Sequence, residues 1–284
     1  MVTLADYAGP KTTWCPGCGD FGVLSAVKTA LVKLELAPWQ VCLVSGIGQA
    51  GKLPHYMQCN CFNGLHGRTL PVATGLKLSN HDLVVIAVGG DGDGYAEGGN
   101  HFVHAAHRNL DITYILHNNQ IYGLTKGQAS PTSDEGFKTR TTPEGAIPRL
   151  NGLGIALAAE ATFIARGFSQ EAPYLAGLIA QGIQHRGFAF IEVLQPCVTF
   201  NHVNTYAWYK QRVYHLDEDP TYDPTDRDQA WRRTLEWGDR IPTGVFYRSQ
   251  RPTLEDKYPA LQAGPLVRQP IDPMKAAALV PEYQ

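Results

Sequence analysis

Two polar motifs follow two apolar runs in the middle of the chain. Residues 84–89 form a continuous apolar run, and Gly90-Asp91-Gly92 comes directly after it. A second run, residues 113–117, ends at Asn118-Asn119. Such runs are typical of strands buried on both faces of a parallel sheet, so we predict a strand–helix–strand unit. Its two loops then lie together at the carboxyl edge of the sheet, where open α/β sheets bind ligands.

These residue types suit a magnesium ion that bridges a diphosphate. Mg²⁺ prefers oxygen ligands in octahedral geometry and usually shares them with phosphate groups. Asp91 offers a carboxylate, Asn119 an amide oxygen and Ile121 its backbone carbonyl. The glycines allow close approach of the backbone, and the helix predicted next offers free N–H groups to an anion. A calcium loop is excluded because two positions that need oxygen ligands hold Tyr95 and Phe102.

The paired motifs resemble a known family. A GDG followed about thirty residues later by NN is typical of enzymes that use thiamine diphosphate. The stretches GGDGDGYAEGGNHF and NNQIYGLTKGQASPT are similar to the β subunit of 2-oxoacid:ferredoxin oxidoreductases, and the resemblance extends over residues 14–214. It implies the diphosphate domain of the thiamine-diphosphate-binding fold.

The remaining pattern supports an α/β fold, doubly wound, with a mostly parallel sheet and helices on both faces. Further strands are predicted at residues 41–45, 161–166 and 188–194, and helices at 21–36, 69–78 and 172–185. The aromatic and basic stretch 204–214 is predicted to be an amphipathic helix. We expect one domain at residues 1–239. Residues 240–284, rich in Pro, Gln and Arg, are expected to form a C-terminal extension that packs on the domain or on a partner.

The loop at residues 46–52 (GIGQAGK) fits both a dinucleotide fingerprint and a P-loop, but neither interpretation holds. Leu53-Pro54 follows the lysine, where a P-loop needs Ser or Thr and a helix. No acidic residue lies between Glu35 and Asp82 to bind a ribose hydroxyl. The resemblance implies instead that this loop lies beside thiamine diphosphate, and that Lys52 and Leu124 lie near the substrate. His66 can donate to a phosphate oxygen.

The resemblance thus implies a set of residues that contact the cofactor. They are Gly46, Ile47, Gly48, Gln49, His66, Gly90, Asp91, Gly92, Asp93, Asn119, Ile121, Gly123 and Leu124.

Six cysteines in a long chain without a secretion signal favour metal ligation over disulfides. The motif Cys15-Pro-Gly-Cys18 alone fits a redox pair, a zinc site or an iron–sulfur site. The resemblance implies that Cys15, Cys18 and Cys197 hold a [4Fe-4S] cluster.

The resemblance does not say which residue supplies the fourth ligand of that cluster. Family members usually carry a cysteine where this chain has Gln49. We therefore expect the remaining thiolate from Cys59 or Cys61, which would face the same side of an extended backbone, and we favour Cys59. Cys42 is expected to be a buried structural thiol.

Composition narrows the function classes further. The chain has 24 basic and 26 acidic residues, which gives no positive field for nucleic acid or a membrane surface. No apolar stretch reaches the roughly 18 residues of a membrane-spanning helix. We expect a soluble, cytoplasmic protein.

The resemblance implies oxidative decarboxylation of a 2-oxoacid with coenzyme A, which yields an acyl-CoA and carbon dioxide. Electrons would pass through the cluster to ferredoxin, and strongly reducing ferredoxin would drive the reverse carboxylation. The segment 204–214 resembles that of members using 2-oxoglutarate, so this substrate is favoured; a pyruvate-specific or broad-specificity member is the alternative.

Two other interpretations remain. One is a non-oxidative thiamine-diphosphate decarboxylase or synthase subunit, with Cys15 and Cys18 binding zinc or nothing. The other is a regulatory or electron-transfer subunit that retains the fold without thiamine chemistry, which the Asp91 and Asn119 pair disfavours.

The chain lacks room for a pyrimidine-binding domain, which in the family belongs to an α subunit and carries the glutamate that activates the cofactor. We therefore predict that the chain is inactive alone and works in an (αβ)₂ assembly.

Overall fold

A parallel sheet runs through the centre of the molecule. The computed structural model describes residues 1–283. The strands are β1 (Val41–Ser45), β2 (Asn60–Asn63), β3 (Val84–Gly90), β4 (Thr113–Asn118), β5 (Ile121–Tyr122), β6 (Gln128–Ala129), β7 (Phe163–Phe168), β8 (Ala189–Leu194), β9 (Val213–His215) and β10 (Ile241–Arg248). Eight of them form one sheet in the order β2-β1-β3-β4-β8-β7-β10-β9, and β5 and β6 form a separate antiparallel pair. Only the β10–β7 pair in the large sheet is antiparallel.

The helices follow the strands in the alternation that the sequence predicts. They are α1 (Asp20–Lys33), α2 (Thr69–Ser79), α3 (Gly99–Arg108), α4 (Gly152–Ala158), α5 (Ala172–Gln184), α6 (Tyr206–Lys210), α7 (Arg227–Thr234), α8 (Pro259–Gln262) and α9 (Pro273–Leu279). Short 3₁₀ segments span Leu4–Tyr7, Pro38–Gln40, Ala50–Tyr56, Leu216–Glu218, Glu255–Lys257, Leu266–Arg268 and Val280–Tyr283, and Gly92–Glu97 is π-helical.

Both faces of the sheet are covered by helices. Along β1, Val41 and Leu43 pack in one cluster with the buried residues of α1 and α5. Cys42 and Val44 point to the opposite cluster, with α2, α3 and α4. Successive side chains of a strand alternate between faces, so a fully apolar strand feeds two cores. The doubly wound α/β fold predicted from the sequence is confirmed.

Two predicted regions differ from the structure. The helix expected at 204–214 covers only α6, whose first turn is capped by Thr205. The chain then extends into β9, because Val213 pairs with Ile241 of β10.

The expected extension at 240–284 starts inside the sheet, since β10 is its seventh strand. Ile241 and Phe246 are fully buried there. Beyond β10, Asn109 donates to the carbonyl oxygen of Arg251 (3.0 Å) and the backbone N–H of Asp111 to Glu255 (3.1 Å). The sheet therefore ends at Arg248, and the segment after it packs against the loop that follows α3.

Within residues 1–283, no helix is long and apolar enough to cross a membrane.

Candidate functional site

A cavity opens at the carboxyl edge of the sheet, where β1, β3 and β4 end. It encloses about 470 Å³, including its open mouth. The predicted cofactor residues that line it are Ile47, Gly48, Gln49, His66, Gly90, Asp91, Gly92, Asp93, Asn119, Ile121, Gly123 and Leu124. Ala50, Tyr122 and Thr125 also line it. Loops from three parallel strands thus meet as the strand–helix–strand argument predicts.

Two predicted residues lie outside this lining. Gly46 lies behind it, where a Cβ atom would stand 2.1 Å from Oδ2 of Asp93. This glycine is needed because no side chain fits between the β1 loop and that carboxylate. Lys52 belongs to the 3₁₀ segment after the loop and is not among the lining residues found in the described chain. The structure does not bring Lys52 to the cavity.

Asp91 is held by two hydroxyl groups from a distant loop. Its carboxylate is 2% exposed, and Oδ2 accepts hydrogen bonds from Ser130 Oγ (2.6 Å) and Thr132 Oγ1 (2.5 Å). Burial raises the pKa of Asp91 to about 6, although both hydroxyls favour the charged form. Both hydroxyls bind Oδ2, and the backbone N–H groups of Asp91 and Gly92 also favour the charged carboxylate, which is the form that binds a cation. Ser130 and Thr132 lie in the stretch NNQIYGLTKGQASPT that carries the family resemblance, but nothing in that stretch singles out these two hydroxyls as partners of Asp91.

The two asparagines after β4 have different environments. Asn118 is fully buried and donates to Glu192 Oε1 (3.1 Å). Asn119 lines the cavity, and its Oδ1 accepts from the N–H of Ile121 (3.1 Å). Between them and Ile121, Gln120 adopts a left-handed backbone (φ 59°). This sharp turn is costly for a residue with a side chain, and such strain concentrates at functional sites.

Gln120 is kept in that conformation by buried hydrogen bonds. Its Nε2 donates to the carbonyl oxygen of Thr132 (2.8 Å) and to Asp134 (3.1 Å), and its Oε1 accepts from Tyr209 (2.7 Å). The loop that holds Asp91 therefore also fixes the turn that carries Asn119 and Ile121.

A buried ion pair lies beneath the Asn118-Asn119 motif. Arg166 donates to Glu192 (2.7 Å), and Tyr95 donates to the same carboxylate (2.8 Å). Burial alone would raise the pKa of Glu192, but the Arg166 charge, the hydrogen bonds from Tyr95 and Arg166 and the Arg149 charge together outweigh burial, and the pKa is lowered. Glu192 thus stays ionised and anchors Asn118. Glu192 occupies the middle of an apolar strand, which is the one sequence signal for this role.

Asp93 connects three loops rather than facing open space. Oδ1 accepts from the N–H groups of Ile47 and Gly67 (both 2.9 Å), and Oδ2 accepts from Thr69 Oγ1 (3.2 Å). Burial raises the pKa of Asp93 above its ordinary value. The imidazole of His66 lies nearby, with Nδ1 3.2 Å from Oδ1 but without hydrogen-bond alignment. Asp93 therefore holds the loop after β1 to the turn before α2, and His66 lies beside it at the cavity wall.

Gly92 shows how closely the cavity walls approach each other. A Cβ atom there would lie 2.2 Å from the ring of Tyr122. Because that ring belongs to the wall built by β5, only glycine allows the two loops to pack. Gly48, with φ 109°, adopts a backbone conformation that favours glycine in the opposite wall.

A second, smaller pocket shares a wall with the first. Cys15, Cys18 and Cys197 line it, and so do Gln49, Asn119 and Gly123, which also line the first cavity. Cys18 is 8% exposed, and burial raises its thiol pKa well above the ordinary range. The sequence-predicted cysteines before α1 and after β8 therefore meet beside the cofactor cavity.

Cys59 and Cys61 lie elsewhere, which corrects the expected ligand set. Cys59 directly precedes β2, whose first residue pairs with Cys42 near the start of β1, so it lies toward the edge opposite the cavity. Neither Cys59 nor Cys61 is among the residues that line the pocket of Cys15, Cys18 and Cys197. The two-residue spacing predicted a shared face but could not show which edge of the sheet it occupied.

The three pocket cysteines do not form a closed metal site as they stand. Across residues 1–283, no three His, Cys, Asp or Glu side chains converge closely enough to hold a metal ion. The sulfurs would have to draw together around a bound group, which the exposed Cys15 is free to do.

Family comparisons agree with this geometry. Residues 45–193 match the family model of the thiamine pyrophosphate enzyme C-terminal TPP-binding domain. Residues 197–263 match the C-terminal model of the pyruvate ferredoxin oxidoreductase β subunit. A 2-oxoacid:ferredoxin oxidoreductase subunit beta from Saccharolobus solfataricus is 47% identical over 249 residues, covering 84% of this chain and 82% of the relative. The chain belongs to this β-subunit family.

Other members extend the comparison. The 2-oxoglutarate oxidoreductase subunit KorB of Mycobacterium tuberculosis is 44% identical over 192 residues, covering 67% of this chain and 52% of the relative. A solved 2-oxoglutarate:ferredoxin oxidoreductase from Magnetococcus marinus, with 2-oxoglutarate, coenzyme A and succinyl-CoA bound, superposes with a TM-score of 0.91 at 36% identity, covering 98% of this chain and 96% of that chain. The resemblance found in the sequence is confirmed, and so is the assignment to a thiamine-dependent oxidoreductase family. This β-subunit family gives the chain its function class.

Proposed function

We propose that this chain binds thiamine diphosphate through Mg²⁺ and passes electrons from a 2-oxoacid to an adjacent iron–sulfur cluster. The observation that carries the proposal is the wall shared by the two pockets. Gln49, Asn119 and Gly123 line both the cofactor cavity and the cysteine pocket. A cofactor that releases electrons and a group that accepts them would therefore be neighbours.

The residues at the cavity fit a magnesium diphosphate. Asp91 offers a carboxylate, Asn119 an amide oxygen and Ile121 a backbone carbonyl, all from the carboxyl edge. Hard oxygen ligands from one or two side chains, completed by phosphates, are what Mg²⁺ requires. When bound, thiamine diphosphate supplies the electron sink for decarboxylating a 2-oxoacid.

The chain's own residues orient that cofactor. Ser130 and Thr132 fix the carboxylate of Asp91, and the left-handed turn at Gln120 directs the Ile121 carbonyl. His66 lies at the cavity wall, where its imidazole can donate to a phosphate oxygen. Leu124 lies in the lining and supports the predicted contact with substrate or cofactor.

We favour 2-oxoglutarate as the substrate and coenzyme A as the acyl acceptor. The Magnetococcus marinus enzyme was solved with 2-oxoglutarate, coenzyme A and succinyl-CoA bound. KorB relatives from Methanocaldococcus jannaschii and Archaeoglobus fulgidus are named as 2-oxoglutarate synthase subunits. The broader name of the Saccharolobus relative keeps pyruvate and other 2-oxoacids as the alternative. A non-oxidative decarboxylase or synthase is disfavoured because the three cysteines meet beside the cavity.

A partner chain completes the enzyme in this proposal. Relatives are named as β subunits, and the thiamine-binding domain matched at residues 45–193 is the C-terminal TPP-binding one. We infer an α subunit that supplies the pyrimidine-binding domain, an (αβ)₂ assembly and ferredoxin as the electron acceptor. A cytoplasmic location stays a prediction from the sequence.

Ferredoxin reduction by the chain purified with its partner subunit tests the proposal. The expected result is CoA-dependent reduction that is faster with 2-oxoglutarate than with pyruvate, and no activity from either subunit alone. Faster turnover of pyruvate would overturn the choice of substrate. Carbon dioxide release without ferredoxin reduction would favour the non-oxidative enzyme.

A further inference from the structure

We propose that the iron–sulfur site of this chain is held by three cysteines, and that its fourth iron faces Gln49 instead of a thiolate. The inference rests on the proposed function, since it concerns the cluster named there. A [4Fe-4S] cluster takes four protein ligands, normally all thiolates. The cysteine pocket contains Cys15, Cys18 and Cys197.

The side chain of Gln49 suits the fourth corner, because it stands where family members usually carry a cysteine. Gln49 lines the cysteine pocket, and its Oε1 is buried without a hydrogen-bond partner among the described residues. A buried amide oxygen without a partner costs about 1–3 kcal/mol, so such an atom calls for a bound group. Its backbone is fixed, because the indole N–H of Trp14 donates to the Gln49 carbonyl oxygen (3.0 Å). The position of this amide is therefore set by the residue next to Cys15.

Asp20 and Gln195 also line the pocket, and each is held toward Cys18; Gln195 Oε1 is, like Gln49 Oε1, buried without a hydrogen-bond partner among the described residues. Asp20 Oδ1 lies 2.6 Å from His117 Nδ1, and Asp20 Oδ2 accepts from the Cys18 thiol at 3.4 Å. Gln195 directs its Nε2 to the Cys18 sulfur (3.4 Å) and to the carbonyl oxygen of Pro196 (3.1 Å). These two side chains surround Cys18, whereas Gln49 lies at the wall shared with the cofactor cavity.

The remaining cysteines lie in or beside the sheet and are not among the residues that line the cysteine pocket. Cys42 lies within β1, Cys61 within β2, and Cys59 directly before β2. Leu43 and Cys61 are paired across these strands, which fixes the register of all three sulfurs. Burial raises the pKa of the Cys42 thiol to about 11, as expected for an inert structural thiol.

A three-thiolate site has a chemical consequence. Because an amide oxygen binds iron more weakly than a thiolate does, the fourth iron should leave when the cluster is oxidised. Ferricyanide would take one electron from the [4Fe-4S]²⁺ cluster, which would release Fe²⁺ and leave [3Fe-4S]⁺. A cluster with four thiolates would resist this loss.

Oxidative titration of the anaerobically purified chain tests the inference. Iron content and the paramagnetic resonance spectrum are followed for the wild type and for Gln49→Cys, which restores a thiolate. The wild type is expected to fall from about four irons to about three and to develop a [3Fe-4S]⁺ signal. Gln49→Cys should keep all its iron and show no such signal. Gln211→Cys, which adds a thiol at an exposed glutamine, should behave as the wild type does.

Further variants separate the possible failures. Cys59→Ser and Cys61→Ser should leave the wild-type iron content and titration unchanged. Four irons retained by oxidised wild type, or iron lost from either serine variant, would overturn the three-cysteine site while leaving the cluster in place. Absence of iron from every anaerobic preparation would instead overturn the cluster in the proposed function. The wild-type and serine results decide the matter even if Gln49→Cys does not fold.

Discussion

The carboxylate that we expect to bind magnesium depends on hydroxyl groups far from its own motif. Ser130 and Thr132 follow Asp91 by 39 and 41 residues, and both donate to Oδ2. Thr132 Oγ1 also lies 2.8 Å from Asn118 Oδ1. Since a hydroxyl has one proton, the Thr132 hydroxyl donates either to the Asp91 carboxylate or to the Asn118 amide oxygen, but not to both at once. The two halves of the site are therefore coupled through one threonine.

Replacing that threonine should weaken cofactor binding. Thr132→Val keeps the shape but removes the donor, so the carboxylate of Asp91 loses part of its orientation. Changes to the groups that hold a metal ligand typically cost about 10–100-fold in metal affinity. We expect a loss of this size in Mg²⁺-dependent binding of thiamine diphosphate, measured by calorimetric titration. Thr141→Val, at an exposed site in the same loop, should change nothing. Equal binding by Thr132→Val would show that the hydroxyl is dispensable.

Motifs predicted most of the cavity residues but not their supports. Gly90, Asp91 and Asn119 were identified because the diphosphate chemistry fixes residue types within single loops. Ser130 and Thr132 were missed because hydroxyl residues are common in loops and only the tertiary fold aims them at Asp91. Cys59 was misplaced for a similar reason, since spacing sets a face and not a position along the strand.

At the scale of secondary-structure elements, the side chain of Asp93 holds three loops together. Asp93 accepts from the loop after β1, from the segment before α2 and from the first residue of α2. Hydrogen bonds to a charged acceptor contribute about 1.5–3 kcal/mol each.

Asp93→Ala leaves two backbone donors without a partner, and we expect it to lower the free energy of unfolding by about 3 kcal/mol. Urea denaturation followed by circular dichroism measures this change. Asp239→Ala, an exposed aspartate, is the matched control and should stay within about 0.5 kcal/mol of wild type. If Asp93→Ala has the same free energy of unfolding as the wild type, contacts other than those of Asp93 hold the loops.

The strand β10 belongs to the core, although its sequence suggests an extension. Phe246 is fully buried in the cluster on the α2, α3 and α4 face of the sheet. Removing a buried phenylalanine side chain costs about 3–5 kcal/mol. We expect Phe246→Ala to lower the thermal unfolding temperature sharply. Leu266→Ala, which is 44% exposed in the segment after β10, should have little effect. An equal fall in the unfolding temperature of both variants would contradict the assignment of β10 to the core and of Leu266 to the segment outside it.

Elements with an uninterrupted pattern were predicted well. β1 was predicted with its observed bounds, and the predicted β4 is one residue short, because strands buried on both faces are apolar throughout. In β10, Pro242 and Gly244 interrupt the apolar pattern. The segment is a strand because it pairs with β7, which is distant in the sequence. In residues 204–214, the pairing of Val213 with β10 overrides the helical pattern.

Across the whole molecule, the topology brings both pockets to one edge of the sheet. The first cavity uses loops after β1, β3 and β4, and the cysteine pocket uses the segments before α1 and after β8. β4 and β8 are adjacent, so their loops meet at the shared wall. The chain's balanced charge provides no other obvious binding field. The architecture thus concentrates the chemistry at one edge of the sheet.

Calorimetric titration of the purified chain with thiamine diphosphate, with Mg²⁺ and with a chelator, tests this account most directly. We expect wild-type binding to require Mg²⁺, and Asp91→Asn to weaken it by more than about 100-fold, because the ligand itself matters more than the groups that hold it. The variant should fold normally, since an amide oxygen still accepts from Ser130 and Thr132. Binding that is independent of Mg²⁺, or unchanged in Asp91→Asn, would contradict the assignment of this cavity.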